Sequence, residues 1–171
     1  MGLIWSCMRD IGAGIEVLNR GSDYALRAME VLATGWGKGP ISASYIADKA
    51  GVAEPMLRKL LQKLAKSGLV LSVRGVAGGF RLGRRPQDIN FLEVIEAVQG
   101  RVAVNRCYLE GHACQDRGRC SVRRQLGTVQ LLLARALHDL NLAGIIENGA
   151  AGKAGRSARS VTVAVPNGGW T

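Results

Sequence analysis

Residues 42–66 form two helical segments separated by a glycine, a pattern that few folds accommodate. Residues 42–50 have the spacing of a short helix that Gly51 ends. A longer helix is predicted for residues 54–66, where Pro55 is tolerated in the first turn. Its apolar side consists of Met56, Leu57, Leu60, Leu61 and Leu64. A short helix, a glycine turn and a second helix with a basic outer side predict a helix-turn-helix.

A β-hairpin is predicted directly after this helix pair. Residues 69–73 and 80–82 have the composition of short strands, and the glycine-rich residues 74–79 form the turn between them. A hairpin in this place is the wing of a winged helix-turn-helix. The hairpin therefore narrows the predicted fold from a general helix pair to a winged DNA-binding domain.

Further helices are predicted on both sides of this unit. Ser22 is the expected N-cap of a first helix that carries Asp23 in its first turn and ends near residue 34. Asn90 and Glu93 have the spacing of a capping box for a helix that runs to Val98. These flanking helices complete a mainly α body that spans residues 18–100.

A long C-terminal helix is expected to mediate dimerisation. Its apolar residues cover more than half of the helix circumference, which a small domain cannot bury on its own. They are Val122, Leu126, Val129, Leu131, Leu132, Leu133, Ala136, Leu137 and Leu140. The fold class is thus mainly α, a winged helix-turn-helix with a dimerisation helix, and a homodimer is predicted. The expected segments are an extension at 1–17, the winged domain at 18–100, a cysteine loop at 101–120, the dimerisation helix at 121–148 and a disordered tail at 149–171.

The charge of the chain indicates a polyanionic partner. The formal net charge is +10 over 171 residues, and the low aromatic content of 5% favours a helical body. Between residues 55 and 87 there are eight basic residues and no acidic one. They are Arg58, Lys59, Lys63, Lys66, Arg74, Arg81, Arg84 and Arg85. Double-stranded DNA is the predicted partner, while an ordinary solvated surface is the alternative for each single residue.

Individual DNA contacts follow from position along the second helix and the wing. Arg58, Lys59 and Gln62 are placed to reach base edges in the major groove. Lys63 and Lys66 lie further along the helix, where phosphate contact is expected. Two further candidates lie in the wing, Arg74 and Arg81, which are expected to meet an adjacent minor groove or its phosphates.

Three cysteines lie within fourteen residues, namely Cys107, Cys114 and Cys120. Thiolates select iron-sulfur clusters, zinc or copper(I). Structural zinc with His112 as a fourth ligand is one alternative, although zinc sites usually have shorter cysteine spacings. Thiol oxidation without a metal is another, because neighbouring arginines favour the thiolate. The fourth cysteine, Cys7, has no assigned role.

Several function classes are disfavoured. The first sixteen residues lack the pattern of a signal peptide, and no run of eighteen apolar residues exists, so no membrane association is expected. Reduced thiols in a cytoplasmic protein are the interpretation we favour. An enzyme is not expected, because the chain has no phosphate-binding loop and only two histidines.

The chain resembles the Rrf-type family of winged helix-turn-helix transcriptional regulators, which includes iron-sulfur regulators. The resemblance rests on residues 19–27, on the wing at 72–82, on the helix at 90–100 and on the three cysteines, in the family's order. It implies a homodimeric regulator of a near-palindromic operator, with Cys107, Cys114 and Cys120 as ligands of an iron-sulfur cluster.

The fourth ligand distinguishes branches of this family. In the branch that regulates cluster assembly, a histidine three residues after the last cysteine completes a [2Fe-2S] site, and Arg123 occupies that place here. In the nitric-oxide-sensing branch, an aspartate of the partner's first helix completes a [4Fe-4S] site, and Asp23 matches it. We therefore favour [4Fe-4S] with Asp23, whose alternative role is to stabilise the first helix dipole. His112, Glu110 and Asp116 are weaker candidates.

The predicted function is that of a transcriptional regulator, a repressor, whose cluster senses nitric oxide, iron or redox state. The alternative is a regulator of the same fold without a cluster. A protein partner, cysteine oxidation or structural zinc would control it instead.

Overall fold

The body of the protein is an assembly of helices around one apolar core, with a small hairpin at its edge. The computed structural model describes residues 17–75, 77–109 and 119–152, apart from the side chains of Arg106 and of residues 148–152. Within these residues the elements are α1 Arg20–Thr34, α2 Ala43–Ala50, α3 Glu54–Lys66, β1 Val70–Val73, β2 Gly79–Leu82, α4 Phe91–Gln99, α5 Ser121–Asp139 and α6 Leu142–Gly152, with 3-10 turns at Pro86–Asp88 and Arg106–Tyr108. The predicted winged helix-turn-helix with a long C-terminal helix is confirmed.

The first helix begins one turn earlier than the sequence indicates. Asn19, not Ser22, is the N-cap of α1, and its side-chain oxygen accepts a hydrogen bond from the Ser22 amide at 2.9 Å. Ser22 is completely buried, and its hydroxyl donates to the side-chain oxygen of Gln99 at 2.6 Å. The predicted cap was wrong because a distant residue of α4 binds this hydroxyl. Asp23 does lie in the first turn of α1.

The helix-turn-helix forms as its local sequence dictates. Ser42 caps α2 through the Tyr45 amide, and Gly51 ends it in the left-handed region with φ 66°. Helix α3 has Pro55 in its first turn and buries Leu57, Leu60, Leu61 and Leu64. Met56 was expected on the same apolar side, but it is 38% exposed. It lies at the edge of the stripe, about 100° around the helix from Leu57 and about 40° from Leu60.

The wing is anchored by a residue that precedes α2. Strands β1 and β2 pair antiparallel, with Val70 opposite Leu82 and Val73 opposite Gly79. Ile41 forms an isolated bridge to Phe80, with two backbone hydrogen bonds of 2.8 Å each. The hairpin is therefore held on its outer edge by the segment that leads into the helix-turn-helix.

Helix α4 and the C-terminal helices close the core. Asn90 and Glu93 form the predicted capping box at the start of α4. The backbones of Leu140 and Leu142 are hydrogen-bonded to Phe91 and Ile89, at 2.9 and 3.1 Å. This pairing interrupts the helix, so the segment predicted as one dimerisation helix at 121–148 contains two, α5 and α6.

The chain termini differ in part from the expectation. Helix α6 extends to Gly152, so residues 149–152 of the predicted disordered tail are helical. Leu142 of α6 is completely buried in the core. The rest of that tail and residues 1–16 of the predicted extension lie outside the described residues.

Candidate nucleic-acid interface and cysteine site

The predicted base-reading residues lie on the exposed side of α3. Arg58, Lys59 and Gln62 are all exposed. Arg58 is held in place by Glu54, one turn earlier, through hydrogen bonds of 2.9 Å from Nε and 2.6 Å from Nη2. Because such an exposed pair is screened by water, it orients the guanidinium more than it stabilises the helix.

The two lysines later in α3 differ from each other. Lys66 is exposed in the last turn of the helix. Lys63 donates from Nζ to the backbone carbonyl oxygen of Val98 at 2.8 Å, which joins α3 to the end of α4. A charged donor on a helix C-terminus is a favourable arrangement, since the last carbonyls lack helical partners. Lys63 therefore has a structural contact within the protomer that Lys59 and Lys66 lack among the described residues.

Acidic residues just outside the basic segment neutralise part of its charge. Arg84 pairs with Glu93 at 2.8 Å, and Arg85 pairs with Asp88 at 2.8 Å. The hydrogen bond to Asp88 and the charge of its carboxylate raise the pKa of Arg85 above its ordinary value. With the Arg58–Glu54 pair, three of the eight basic residues have acidic partners. All three partners lie just outside residues 55–87, the part of the sequence that contains no acidic residue.

The wing supplies two exposed cations. Arg81 lies in β2 with its side chain exposed, and Arg74 is exposed in the turn. A groove of about 380 Å³ runs between the wing, the start of α2 and α3, and Ser42, Ser44, Arg58, Ser72 and Arg74 contribute to it. Hydroxyls at a helix N-terminus beside two guanidinium groups suit an anion such as a phosphate.

Ser42 and Ser44 are further candidates for the interface that the sequence pattern alone does not single out. Their hydroxyl oxygens are 3.2 Å apart at the beginning of α2. The N-cap preference of serine signals a helix start, and a helix start beside a basic wing is where phosphate contact is expected. The signal was therefore present, although the groove itself depends on the packing of the wing.

Two of the three clustered cysteines lie in the described residues. Cys107 is in the 3-10 turn Arg106–Tyr108, and Cys120 is the N-cap of α5. Both are free thiols and partly exposed. Cys114 lies outside the described residues, as do Cys7 and the weaker ligand candidates Glu110, His112 and Asp116. Cys107 and Cys120 thus flank the segment that contains the third cysteine.

Arg123 contacts both cysteine segments. Its backbone amide donates to the Cys120 sulfur at 3.4 Å, and its guanidinium donates to the Cys107 backbone carbonyl. The guanidinium also lies over the ring of Tyr108, 4.7 Å from the centroid, and the Tyr108 hydroxyl donates to the Arg123 carbonyl. The residue that departs from the family pattern therefore joins the two ends of the cysteine segment.

Asp23 is engaged on the surface of α1. Its carboxylate pairs with Arg27 at 3.0 Å, and about half of each side chain is exposed. Within the described parts of the chain, no group of three or more histidine, cysteine, aspartate or glutamate residues is arranged to hold a metal ion. Soft thiolates at Cys107 and Cys120 fit iron-sulfur ligation by their chemistry, and completing such a site requires further ligands.

Helix α5 presents an uncovered apolar side. The structure buries none of its residues within the protomer, and Val122, Val129 and Leu132, which share this side, are 49–62% exposed. Gln130 fixes the other side of α5 to the body, since its amide group is hydrogen-bonded to the Val104 amide and the Val102 carbonyl. No helix among the described residues is long and apolar enough to cross a membrane.

Comparisons with known proteins agree with this architecture. The family model "Rrf2: Iron-dependent Transcriptional regulator" matches residues 18–148. The HTH-type transcriptional regulator IscR of Sodalis glossinidius is 34% identical over 125 residues, covering 73% of this chain and 75% of its own. The Escherichia coli IscR is 33% identical over 125 residues, with 73% and 76% covered.

Solved structures show the same fold. T. potens IscR superposes with a TM-score of 0.65 at 30% identity, over 82% of this chain and 93% of its own. CymR, the global cysteine regulator of B. subtilis, superposes with a TM-score of 0.64 at 26% identity, over 77% and 96%. Together with the family match over most of its length, these similarities show that the chain belongs to the Rrf2 family of DNA-binding transcriptional regulators.

Proposed function

We propose that this regulator is a homodimer whose operator affinity depends on an iron-sulfur cluster bound by Cys107, Cys114 and Cys120. The observation that carries the proposal is the position of Cys120, which caps α5, the helix with the uncovered apolar side. A change at this thiol acts on the first turn of the expected dimer helix. Dimer geometry sets the spacing of the two DNA-binding units, so it controls operator affinity.

The cluster would supply chemistry that responds to nitric oxide, iron or redox state. Asp23 of the partner protomer is the proposed fourth ligand, and [4Fe-4S] is favoured over [2Fe-2S] because Arg123 replaces the histidine. A carboxylate is a harder ligand than a thiolate and holds iron less firmly. Asp23 would have to leave its exposed ion pair with Arg27, which costs little in water. Repression by direct operator binding is the proposed mode of action.

A second function has its own support. CymR, which the protein also resembles in structure, is described as a cysteine regulator, and an oxidised form of a Staphylococcus aureus CymR has a TM-score of 0.56 at 25% identity. A cluster-free regulator controlled by a protein partner, by cysteine oxidation or by structural zinc is therefore the alternative. The metal content of the purified protein separates the two.

Anaerobic purification tests the cluster directly. We expect a brown protein that contains iron and acid-labile sulfide and absorbs in the visible region. Replacing Cys120 with serine is expected to reduce the iron content strongly and to alter operator affinity, because serine supplies no soft ligand. A colourless wild-type protein that takes up no iron on reconstitution, yet binds its operator tightly, would contradict the proposal.

The salt dependence of operator binding tests the proposed DNA surface. On its helix and wing each protomer presents four exposed cations that have no acidic or carbonyl partner among the described residues, namely Lys59, Lys66, Arg74 and Arg81. If a dimer uses all of them on phosphates, the slope of log affinity against log salt is about −7, since each contact contributes roughly −0.9. A measured slope near −2 would show that most of these residues do not contact DNA.

Two lysines of α3 provide a matched pair for this surface. Lys66→Met is expected to make the salt slope shallower by about 2, since a dimer loses two phosphate contacts, without changing stability. Lys63→Met is expected to leave the slope nearly unchanged and to lower the free energy of unfolding by about 1–2 kcal/mol, because the Val98 carbonyl loses its charged donor. Salt titrations and urea unfolding of both variants measure these effects. Equal slopes for the two variants would refute the distinction.

A further inference from the structure

We propose that Arg123 is a positioning residue for the cysteine site, fixing Cys107 relative to Cys120 and keeping a positive charge beside them. This role rests on the proposed cluster. Arg123 would control how firmly the cluster is held and what its reduction potential is. In the sequence, Arg123 is notable only because it replaces a histidine ligand. In the structure, Arg123 also makes hydrogen bonds to both cysteine segments.

The contacts of Arg123 span the two ends of the cysteine segment. Its amide donates to the Cys120 sulfur on one side, and its guanidinium donates to the Cys107 carbonyl on the other. One residue at the beginning of α5 therefore connects two positions that are thirteen residues apart in the chain. Closing a segment of this length by a side chain lowers the entropy lost when its thiols gather around a ligand.

Tyr108 holds the guanidinium in place. Its ring lies under the guanidinium, and its hydroxyl donates to the Arg123 backbone carbonyl. Arginine suits this arrangement because a planar guanidinium can stack on a ring and donate hydrogen bonds at its edge. Lysine keeps the charge but has neither property, so it separates the effect of charge from the effect of geometry.

Arg124, the next residue of α5, does not share the hydrogen bonds of Arg123 to the cysteine segments. It follows Arg123 directly, and its backbone amide donates to the Cys120 carbonyl as part of the helix. Its side chain is exposed and, among the described residues, makes no hydrogen bond to either cysteine. Replacing Arg124 removes the same charge from the same turn without disturbing the cysteine segments, which makes it a matched control.

A positive charge close to cluster thiolates has two expected consequences. It favours the reduced, more negative state of a cluster and so raises the reduction potential. The hydrogen bonds around the ligands orient them, and residues in such positions typically change metal affinity by roughly 10–100-fold when they are replaced. Retention and potential are therefore separate measures of geometry and charge.

The experiment compares wild type, Arg123→Gln, Arg123→Lys and Arg124→Gln after anaerobic reconstitution of the full-length chain. Iron release to a chelator is followed by absorbance, and the midpoint potential by redox titration. Arg123→Gln is expected to release iron about 10-fold faster than wild type and to have a lower potential. Arg123→Lys is expected to release iron faster with a potential close to wild type. Arg124→Gln should match wild type in release rate.

The outcomes distinguish the inference from the proposed function. A wild-type protein that binds no iron overturns both. A wild-type protein that binds iron, with Arg123→Gln equal to Arg124→Gln in release rate and potential, overturns the inference alone. Should Arg123→Gln fail to bind a cluster, Arg123→Lys decides. Faster iron release at an unchanged potential supports the positioning role, and wild-type release contradicts it.

Discussion

Replacing Gly79 with alanine is expected to lower the free energy of unfolding by about 2–4 kcal/mol, because the new methyl group has no space. A Cβ at Gly79 would meet the backbone carbonyl of Ile41, including its carbon at 2.6 Å. The backbone cannot yield here without breaking the two hydrogen bonds between Ile41 and Phe80. The wing would then lose its attachment to the segment before α2. Urea unfolding monitored by circular dichroism measures the change.

Gly144→Ala is the matched control for this substitution. A Cβ at Gly144 would lie 3.8 Å from the side-chain oxygen of Asn141, which is an ordinary contact. Because alanine is the better helix former, this variant should be unchanged or more stable by up to about 1 kcal/mol. Operator affinity should fall only for Gly79→Ala, since it alone displaces Arg74 and Arg81. Similar unfolding curves for the two variants would show that the Ile41 bridge contributes little.

The helix-turn-helix could be predicted because its determinants are local. Ser42 and Gly51 mark the ends of α2, and the Asn90–Glu93 capping box marks the start of α4. Each of these signals acts within one turn of the chain, so the sequence contains the complete interaction. The leucine stripe of α3 is equally local, since helix geometry alone determines which residues share a side.

Features that depend on distant partners could not be predicted in the same way. Ser22 and Asn19 are both good N-caps, and the choice follows from Gln99, which binds the Ser22 hydroxyl. The break between α5 and α6 arises because Leu140 and Leu142 pair with the segment before α4. The apolar pattern across residues 121–148 is continuous, and nothing local in it reports this pairing.

The candidate site shows the same division. Residue types predicted a basic surface and a thiolate site, and the structure places Lys59, Lys66, Arg74 and Arg81 on the exposed side of the helix and wing. Lys63 is hydrogen-bonded to Val98, which is 35 residues away in the sequence. The contacts of Arg123 likewise depend on how α5 meets the 3-10 turn at Cys107. A sequence identifies which charges are available, while packing determines which of them are already used.

The exposed apolar side of α5 is the surface through which two protomers are expected to pair. Val129 is 49% exposed and lies in line with Val122, since seven residues are nearly two helical turns. Val129→Asp is expected to convert the proposed homodimer into a monomer, because two-fold symmetry would bury two carboxylates in an apolar interface. Operator affinity should fall roughly 100-fold or more, since a monomer loses the gain from binding two half-sites at once. Sedimentation equilibrium and operator titration measure both effects.

Leu131→Asp is the matched control for the dimer interface. Leu131 is 62% exposed, but it points about 200° away from Val129 around the helix axis. An aspartate there remains in water if the dimer forms through the side that contains Val122 and Val129. The control variant should therefore stay dimeric and bind its operator as wild type does. A dimer that survives Val129→Asp but dissociates with Leu131→Asp would place the interface on the opposite side of α5. The proposal that Cys120 affects dimer geometry through the side containing Val122 and Val129 would then be wrong.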